Sequence, residues 1–198
     1  GLAADGRTAL GYLFEESIDQ FTYRCENLGI PVSELRETGQ LHLTEVEPLV
    51  RSAEEFGQYV VNEVETHDPA AVFIDGLAGY KISLQGDDQR LVRRLHGLTR
   101  VLKNHNVATI ITDESNALTG FPKATSTNTS YIADNIFFLS YVEVDGELQR
   151  AIGVLKKRLG DFDSRFHRFA IVSDEGLQIT GPFENVHGIM QGTGHRSE

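Results

Sequence analysis

The chain has 198 residues, 40% of them hydrophobic, and a formal net charge of -11. This is the composition of a folded globular protein with a sizeable core, and the acidic balance argues against general binding to nucleic acids or acidic membranes. Cys25 is the only cysteine, so an internal disulfide and a cysteine-rich zinc site are both excluded. No stretch approaches the ~20 apolar residues of a membrane span, and the first residues do not resemble a secretory signal, so we expect a cytoplasmic protein.

The first part of the chain alternates between strand-like and helix-like segments. Short apolar runs predict the strands, and apolar residues recurring at helical spacing predict the helices. In chain order the predicted segments are strand 9–14, helix 16–28, strand 40–45, helix 48–64, strand 70–75, helix 87–104 and strand 107–112. This alternation predicts an α/β fold, in which a mostly parallel sheet is flanked by helices.

The second part of the chain predicts antiparallel hairpins. Residues 115–130 are rich in Ser, Thr, Asn and Gly and are predicted to form a loop. Strands are then predicted at 135–144 and 149–157 around Asp145-Gly146, and at 165–172 and 177–180 around residues 174–176. We expect these hairpins to extend the sheet, within one domain over residues 1–192 that is followed by a disordered tail at 193–198.

Acidic residues follow three of the four predicted parallel strands. The apolar run at 70–74 ends in Asp75 and then Gly76, Glu15-Glu16 follow the first strand, and Asp113-Glu114 follow the last. Ligands of parallel sheets bind at the carboxyl ends of the strands, where a carboxylate can hold Mg²⁺ or polarise an attacking water. Asp75 is therefore a candidate Mg²⁺ ligand, and Asp75 and Glu114 are candidate cofactor contacts. For Glu16, capping of the following helix is an equally good interpretation.

Other patterns bear on the kind of ligand. The phosphate-binding loop G-x-x-x-x-G-K-[ST], which accompanies such acids in many nucleotide-binding proteins, is absent from the chain. The seven histidines are scattered with no HxxxH or HxH pair, which argues against a histidine metal site. We interpret His42, His67 and His105 as solvated or loop residues.

Several motifs of this chain resemble the KaiC family of RecA-like ATPases. Residues 13–17 (LFEES) are similar to the F-E-E that follows the second core strand of the family, and residues 72–77 (VFIDGL) to its Walker B strand, which usually ends in I-D-S-L. Residues 132–136 (IADNI), 141–152 (YVEVDGELQRAI) and 154–158 (VLKKR) resemble S-T-x-x-D-x-I-I, Y-V-E-x-x-G-E-x-x-R-A-I and V-x-K-x-R. The resemblance spans residues 9–192, and the 141–152 stretch is its most specific part.

The resemblance implies roles for individual residues. Glu15 and Glu16 match the pair that activates the water attacking the γ-phosphate of ATP, and Asp75 matches the Walker B acid. The family is hexameric and binds ATP between subunits, where Lys156 and Arg158 match basic residues that reach the γ-phosphate of the neighbour. Without the resemblance, these two cations are simply a solvated strand end.

Ser130 is a possible phosphorylation site on the same grounds. In clock members of the family a Ser-Thr pair near the ATP is autophosphorylated, and the matching residues here are Ser130 and Tyr131. Because the threonine is not retained, an unmodified loop serine is an open alternative. The pattern favours a KaiC-like ATPase that is not a clock component.

The beginning of the chain departs most from the family. Residues 1–8 resemble the end of the helix that follows the P-loop, so the first core strand and the P-loop are missing. That strand lies inside the sheet of the family, so we expect two unpaired inner edges and an N-terminally truncated form of a longer protein.

The resemblance implies that the parent protein binds and hydrolyses ATP with Mg²⁺ at subunit interfaces, coupled to signalling or assembly. One alternative is a catalytically silent interaction and oligomerisation module. Another is a DNA-recombination-type RecA relative, which requires basic or aromatic loops, whereas the 115–130 loop offers only Phe121 and Lys123.

Overall fold

The computed structural model describes residues 6–84, 87–114, 129–191 and 193–196. The structure divides into two compact units, Gly1–Glu114 and Ser115–Glu198. The single domain over residues 1–192 stays a prediction. The predicted loop at 115–130, with Phe121 and Lys123, lies outside the described residues up to position 128. Over the described part of the chain, no helix combines the length and the apolar character that crossing a membrane requires.

A four-stranded parallel sheet forms the centre of the first unit. Its strands are β1 (Ala9–Leu13), β2 (Leu41–Glu45), β3 (Ala71–Asp75) and β4 (Ala108–Ile111), in the order β2-β1-β3-β4. The predicted parallel α/β arrangement is therefore confirmed. Among these strands β1 pairs with both β2 and β3, and β3 pairs with β4, so β2 and β4 are the edge strands of this sheet. The expectation of two unpaired inner edges stays a prediction.

In the described part of this unit the sheet is accompanied by five helices, namely α1 (Ile18–Glu26), α2 (Val32–Glu37), α3 (Ala53–His67), α4 (Leu77–Ile82) and α5 (Asp88–Asn104). Helices α1 and α3 each begin with a capping box, formed by Ser17 with Gln20 and by Ser52 with Glu55. An N-cap of this kind contributes about 1 kcal/mol. The prediction that Pro48 opens α3 was wrong, because the cap at Ser52 sets its start and leaves Leu49 84% exposed.

An aromatic cluster fixes the end of β1 against the helices. Tyr12 and Phe14 lie on the same side of the strand, and their rings pack edge-on against Phe56 of α3 at centroid distances of 5.3 and 5.1 Å. Tyr80 of α4 completes the cluster, 5.4 Å from Phe56. Tyr12, Phe56 and Tyr80 are each 1% exposed, so the chain just before Glu15 is anchored in the core.

The second unit contains a sheet of its own, in the order β8-β7-β6-β5-β10-β9. Its strands are β5 (Asn135–Val144), β6 (Glu147–Lys157), β7 (His167–Val172), β8 (Gly176–Pro182), β9 (Val186–His187) and β10 (Thr193–Arg196). Strands β5 to β8 are antiparallel neighbours, so both predicted hairpins are confirmed. The expected disordered tail is not observed at Thr193–Arg196, because Thr193 and Gly194 pair with β5. Residues 197 and 198 lie outside the described residues.

Candidate functional site at the carboxyl edge of the parallel sheet

Backbone pairing places the carboxyl ends of β1, β2 and β3 side by side at one edge of the parallel sheet. Leu13 at the end of β1 lies between Glu45 of β2 and Asp75 of β3. The Phe14 N–H donates to the Asp75 carbonyl at 2.6 Å, and the Val46 N–H donates to the Leu13 carbonyl at 2.8 Å. The acids that end or follow these strands therefore share one edge of the sheet, as their positions in the sequence predicted.

Thr112 holds the Asp75 carboxylate in a fixed orientation. The Thr112 hydroxyl donates to Asp75 Oδ1, while the Thr112 backbone N–H donates to the Ile74 carbonyl at 3.1 Å. The Leu77 N–H in turn donates to the Thr112 carbonyl at 2.9 Å, which ties the start of α4 to the end of β4. Within the described residues Asp75 Oδ2 has no hydrogen-bond partner, so it can accept a ligand.

Glu15 lies against the glycine that follows Asp75. A β-carbon placed on Gly76 would be 2.9 Å from Glu15 Oε1 and 3.3 Å from its carboxyl carbon. Glycine at this position gives the Glu15 carboxylate room to approach the backbone beside Asp75. The structure therefore brings two predicted site residues together, and it gives a physical reason for Gly76 where the family usually has serine.

Glu16 is held by an arginine that the sequence interpretation overlooked. Arg24, in the last turn of α1, forms a salt bridge with Glu16 and lies over the Phe21 ring, 5.5 Å from its centroid. The hydrogen bond that Arg24 donates to the Glu16 carboxylate and, more weakly, the charge of Asp75 raise the pKa of Arg24. The helix-capping interpretation of Glu16 was wrong, because Ser17 is the N-cap of α1.

The opposite edge strand also ends in an acid, Glu45, which was not among the predicted site residues. Its Oε1 accepts from the Ile18 N–H at 2.7 Å, so this carboxylate caps the first turn of α1 from a neighbouring strand.

The pKa of the Cys25 thiol, on the same helix, depends on burial and on the charges near it. Burial raises the pKa of its thiol, and the carboxylates of Glu16 and Asp75 raise it further against the opposing effect of Arg24.

Glu114, the other predicted cofactor contact, is exposed and lies two residues beyond Thr112. No hydrogen bond or salt bridge within the described residues links it to Asp75. Nor do the described ranges contain a group of three or more His, Cys, Asp or Glu residues that could hold a metal ion. From the residues of this unit, a cation at the sheet edge would therefore receive the Asp75 carboxylate as its main ligand.

His42 and His67 differ from their interpretation as solvated or loop residues, whereas His105 is exposed in the turn that follows α5, as expected. His42 lies in β2 and His67 in the last turn of α3, and their rings stack with centroids 4.1 Å apart. His105 is the C-cap residue of α5. Each of the three is thus part of, or directly ends, a regular element.

The predicted basic pair lies in the second unit, at the end of β6. Lys156 Nζ donates to the carbonyls of Ser130 and Ala133, each at 2.8 Å. Arg158 forms a salt bridge with Asp134 at 2.7 Å and donates to the Tyr131 carbonyl at 3.1 Å. Both cations therefore donate hydrogen bonds to the 3-10 turn Thr129–Tyr131, which contains the predicted phosphorylation site Ser130.

Comparison with known proteins gives a family for this arrangement. A family model described as "ATPase: KaiC" matches residues 3–184. The chain is 29% identical over 188 residues to a circadian clock oscillator protein KaiC of Thermostichus vulcanus, covering 95% of this chain and 36% of that protein. It is 30% identical over 190 residues to KaiC of Prochlorococcus marinus strain SARG, covering 95% of this chain and 37% of the relative.

A circadian clock protein KaiC3 of Synechocystis is 29% identical over 194 residues, which is 98% of this chain and 38% of the relative. The parallel sheet with its helices is consistent with a RecA-like α/β fold. The chain belongs to the KaiC ATPase family, as its sequence motifs predicted. It spans little more than a third of the length of these curated relatives.

Proposed function

We propose that the first unit forms the acidic half of a site that binds and hydrolyses Mg²⁺-ATP at the carboxyl edge of its parallel sheet. The observation that carries this proposal is that two carboxylates lie at this edge, one on Asp75 and the other against the glycine that follows it. Asp75 is oriented by Thr112, and Glu15 lies on the adjacent Gly76. One acid can hold the cation of a nucleotide while the other accepts a proton, which is the division of labour that phosphoryl transfer to water needs.

Asp75 is the residue that would hold Mg²⁺. Magnesium is commonly bound through one or two carboxylates, with waters and substrate phosphates completing its octahedron. The arrangement fits this demand, because Thr112 occupies Asp75 Oδ1 and no described residue occupies Oδ2. When bound, the ion would neutralise charge on the phosphate oxygens.

Glu15 is better placed than Glu16 to act on a water molecule. Glu15 is exposed, and no salt bridge or hydrogen bond to its carboxylate occurs within the described residues. The Glu16 carboxylate is already occupied by the Arg24 guanidinium. We therefore assign Glu15 as the general base and Glu16 as a positioning residue that keeps the start of α1 in place.

Lys156 and Arg158 would act on the nucleotide of a neighbouring copy, within a hexamer of the kind the family resemblance implies. A cation supplied in trans can stabilise the charge that develops on a transferred phosphoryl group. To do so, these side chains must exchange the carbonyls of the Ser130 turn for phosphate oxygens. ATP binding would then be coupled to assembly or signalling in a cytoplasmic protein, with Ser130 as a possible phosphorylation site and Glu114 as a peripheral contact.

A second candidate function is a catalytically silent interaction module. The absence of the motif G-x-x-x-x-G-K-[ST] from this sequence favours it, because that loop supplies the backbone cradle and the lysine for the phosphates. A role in DNA recombination is disfavoured by the net charge of -11.

Steady-state ATP hydrolysis tests the proposal, measured on this chain and on the longest natural product of the same gene. Replacing a general base typically costs about 10²- to 10⁴-fold in rate, so Glu15→Gln should lose activity on that scale while ATP binding persists. Glu16→Gln should lose less. Glu65→Gln, an exposed acid in α3, is the matched control.

Equal rates for Glu15→Gln and the Glu65→Gln control would remove the assigned base. If neither protein form binds ATP, the silent module is the correct function. If only the longer form binds, the site belongs to the longer protein and this chain supplies its acidic half.

A further inference from the structure

Arg24 brings a positive charge to the acidic edge of the parallel sheet. It lies in the last turn of α1, and a helical side chain points back towards the start of its helix. The guanidinium thereby reaches Glu16, which precedes α1, and donates to it twice: Nη2 to Oε1, and Nε to Oε2 at 3.4 Å. A two-pronged contact of this kind fixes the orientation of the carboxylate.

The guanidinium is attached to the sheet as well as to the helix. It lies over the Phe21 ring, 5.5 Å from its centroid, and the Phe21 ring packs against Phe73 at a centroid distance of 6.3 Å. Phe73 belongs to β3, the strand that ends two residues later in Asp75. The charge of Arg24 is therefore held beside the strand that supplies the proposed Mg²⁺ ligand.

The charges of this region act on one another. The hydrogen bond to Glu16 and, more weakly, the charge of Asp75 raise the pKa of Arg24. Burial raises the pKa of the neighbouring Cys25 thiol, Arg24 lowers it, and the carboxylates of Glu16 and Asp75 raise it again. Arg24 and Asp75 are thus close enough for a change of charge at one to be felt at the other.

Negative charge is in excess at this edge. Four carboxylates end or follow its strands, on Glu15, Glu16, Glu45 and Asp75. Within the described residues, Arg24 is the one basic residue that forms a salt bridge with any of them. The phosphates of a nucleotide are also anions and are repelled by these carboxylates. A cation in the same unit is therefore needed to offset part of this repulsion.

The contact with Glu16 does not use all the donors of Arg24. A guanidinium carries five N–H donors in a fixed fork, and only those of Nε and Nη2 are directed to Glu16. No further acceptor for this guanidinium occurs in the described part of the chain, and the Arg24 side chain is 55% exposed. Its charge is therefore accessible to an anion that approaches the edge.

We propose that Arg24 is a positioning residue of the Mg²⁺-ATP site, which ties Glu16 to α1 and lowers the negative charge that the edge presents to phosphates. This inference rests on the proposed function and deepens it. A guanidinium here has opposite effects on two ligands, because it repels a bare divalent cation and attracts the phosphates of ATP. A residue that only stabilised the fold would change both affinities in the same direction.

The first measurement uses a divalent cation without nucleotide, on the 198-residue chain. Paramagnetic Mn²⁺ replaces Mg²⁺, and broadening of the Gly76 amide signal in NMR spectra reports binding beside Asp75. Arg24→Gln should lower the Mn²⁺ concentration at half-broadening by about threefold or more, because one repelling charge is lost. Arg24→Lys keeps the charge without the fork and should stay within about twofold of wild type.

Arg36→Gln is the matched control. It removes the same charge from an exposed arginine of α2. Because α2 ends shortly before β2 begins, Arg36 lies towards the amino ends of the strands, away from the acidic edge. This variant should behave as wild type with Mn²⁺. Circular dichroism confirms that each variant is folded.

The second measurement is ATP affinity, by calorimetry on the longest natural form of the protein. Arg24→Gln should weaken ATP binding by about threefold or more at low ionic strength. The difference from wild type should shrink as salt is added, because ions screen charges at an exposed edge. Arg24→Lys should keep most of the wild-type affinity, which a role limited to the two-pronged contact would not allow.

Two results would overturn the role of Arg24 and leave the ATPase proposal in place. One is an Arg24→Gln variant that matches Arg36→Gln with Mn²⁺. The other is a folded Arg24→Gln variant that binds both Mn²⁺ and ATP more weakly than wild type. The ATPase proposal is checked separately with Asp75→Asn. If this variant binds Mn²⁺ as wild type does, the cation is not at Asp75, and both proposals are wrong.

Discussion

Alanine in place of Gly79 is the sharpest test of how the acidic edge is supported. Gly79 lies in α4, and a β-carbon there would be 2.4 Å from the β-carbon of Phe14 and 3.1 Å from its γ-carbon. The β-carbon of Phe14 is fixed to the backbone and cannot rotate away. Phe14 directly precedes Glu15, so relief of this clash must move the chain that carries the proposed base.

The magnitude follows from two opposing effects. Alanine improves on glycine by about 1 kcal/mol inside a helix, whereas overpacking a core costs about 1–3 kcal/mol. With a contact as close as 2.4 Å, the overpacking cost lies at the upper end of that range. We therefore expect Gly79→Ala to lower the free energy of unfolding by about 1–2 kcal/mol.

Gly57 provides the matched control. It lies in the interior of α3, and a β-carbon there would have no neighbouring atom within 4 Å. Gly57→Ala should therefore raise the free energy of unfolding by about 0.5–1 kcal/mol. Urea unfolding followed by circular dichroism measures both variants. The account of Gly79 is refuted if its alanine variant is as stable as, or more stable than, wild type.

Three further outcomes are expected. Tyr12→Phe should keep or raise stability by up to about 1 kcal/mol in urea unfolding, because the buried Tyr12 hydroxyl has no hydrogen-bond partner among the described residues; a clear loss would show that the hydroxyl is satisfied. Inactive Lys156→Ala/Arg158→Ala and Glu15→Gln subunits, when mixed, should regain about a quarter of wild-type ATP turnover if the cations act in trans on a neighbour, whereas no recovery would place them elsewhere. The Cys25 thiol, 7% exposed and with its pKa raised by burial, should react with a thiol reagent far more slowly in the native protein than in urea, and equal rates would contradict its burial.

The sequence allowed the long, periodic elements to be predicted well. The apolar run ending at Asp75 became β3, and the leucines at helical spacing over 87–104 became α5, with Leu91, Leu95, Leu98 and Leu102 all buried. Helices α2 and α4 were not predicted, because six residues are too few to establish a helical period. The start of α3 depended on the Ser52 cap rather than on Pro48.

The candidate site was predicted in its acids but not in their partners. Strand ends in the sequence indicated Glu15, Glu16 and Asp75, since parallel strands deliver their carboxyl ends to one edge. The Thr112 hydroxyl on Asp75 and the Ile18 N–H on Glu45 depend on cross-strand register, which no local pattern encodes. Arg24 was overlooked because Glu16 lies before the start of α1. The two residues can be recognised as a pair only when the residue at which the helix begins is known.

Which face of the antiparallel sheet is buried was equally hidden from the sequence. Alternating apolar residues in β5 predicted a strand, but both of its faces are apolar. The pattern alone does not distinguish the face that packs on Phe183 from the face that carries Phe137. Only the pairing register and the burial of Val142 and Val144 separate the two.

The central claim is that the Asp75 edge of the parallel sheet binds Mg²⁺-ATP. The most direct test is ATP affinity with and without Mg²⁺, measured by calorimetry on the longest natural form of the protein. Asp75→Asn is compared with wild type, and Glu65→Gln serves as the control. The account predicts that Mg²⁺ tightens ATP binding by wild type and by Glu65→Gln, and has little effect on Asp75→Asn. Equal tightening in all three proteins would contradict it.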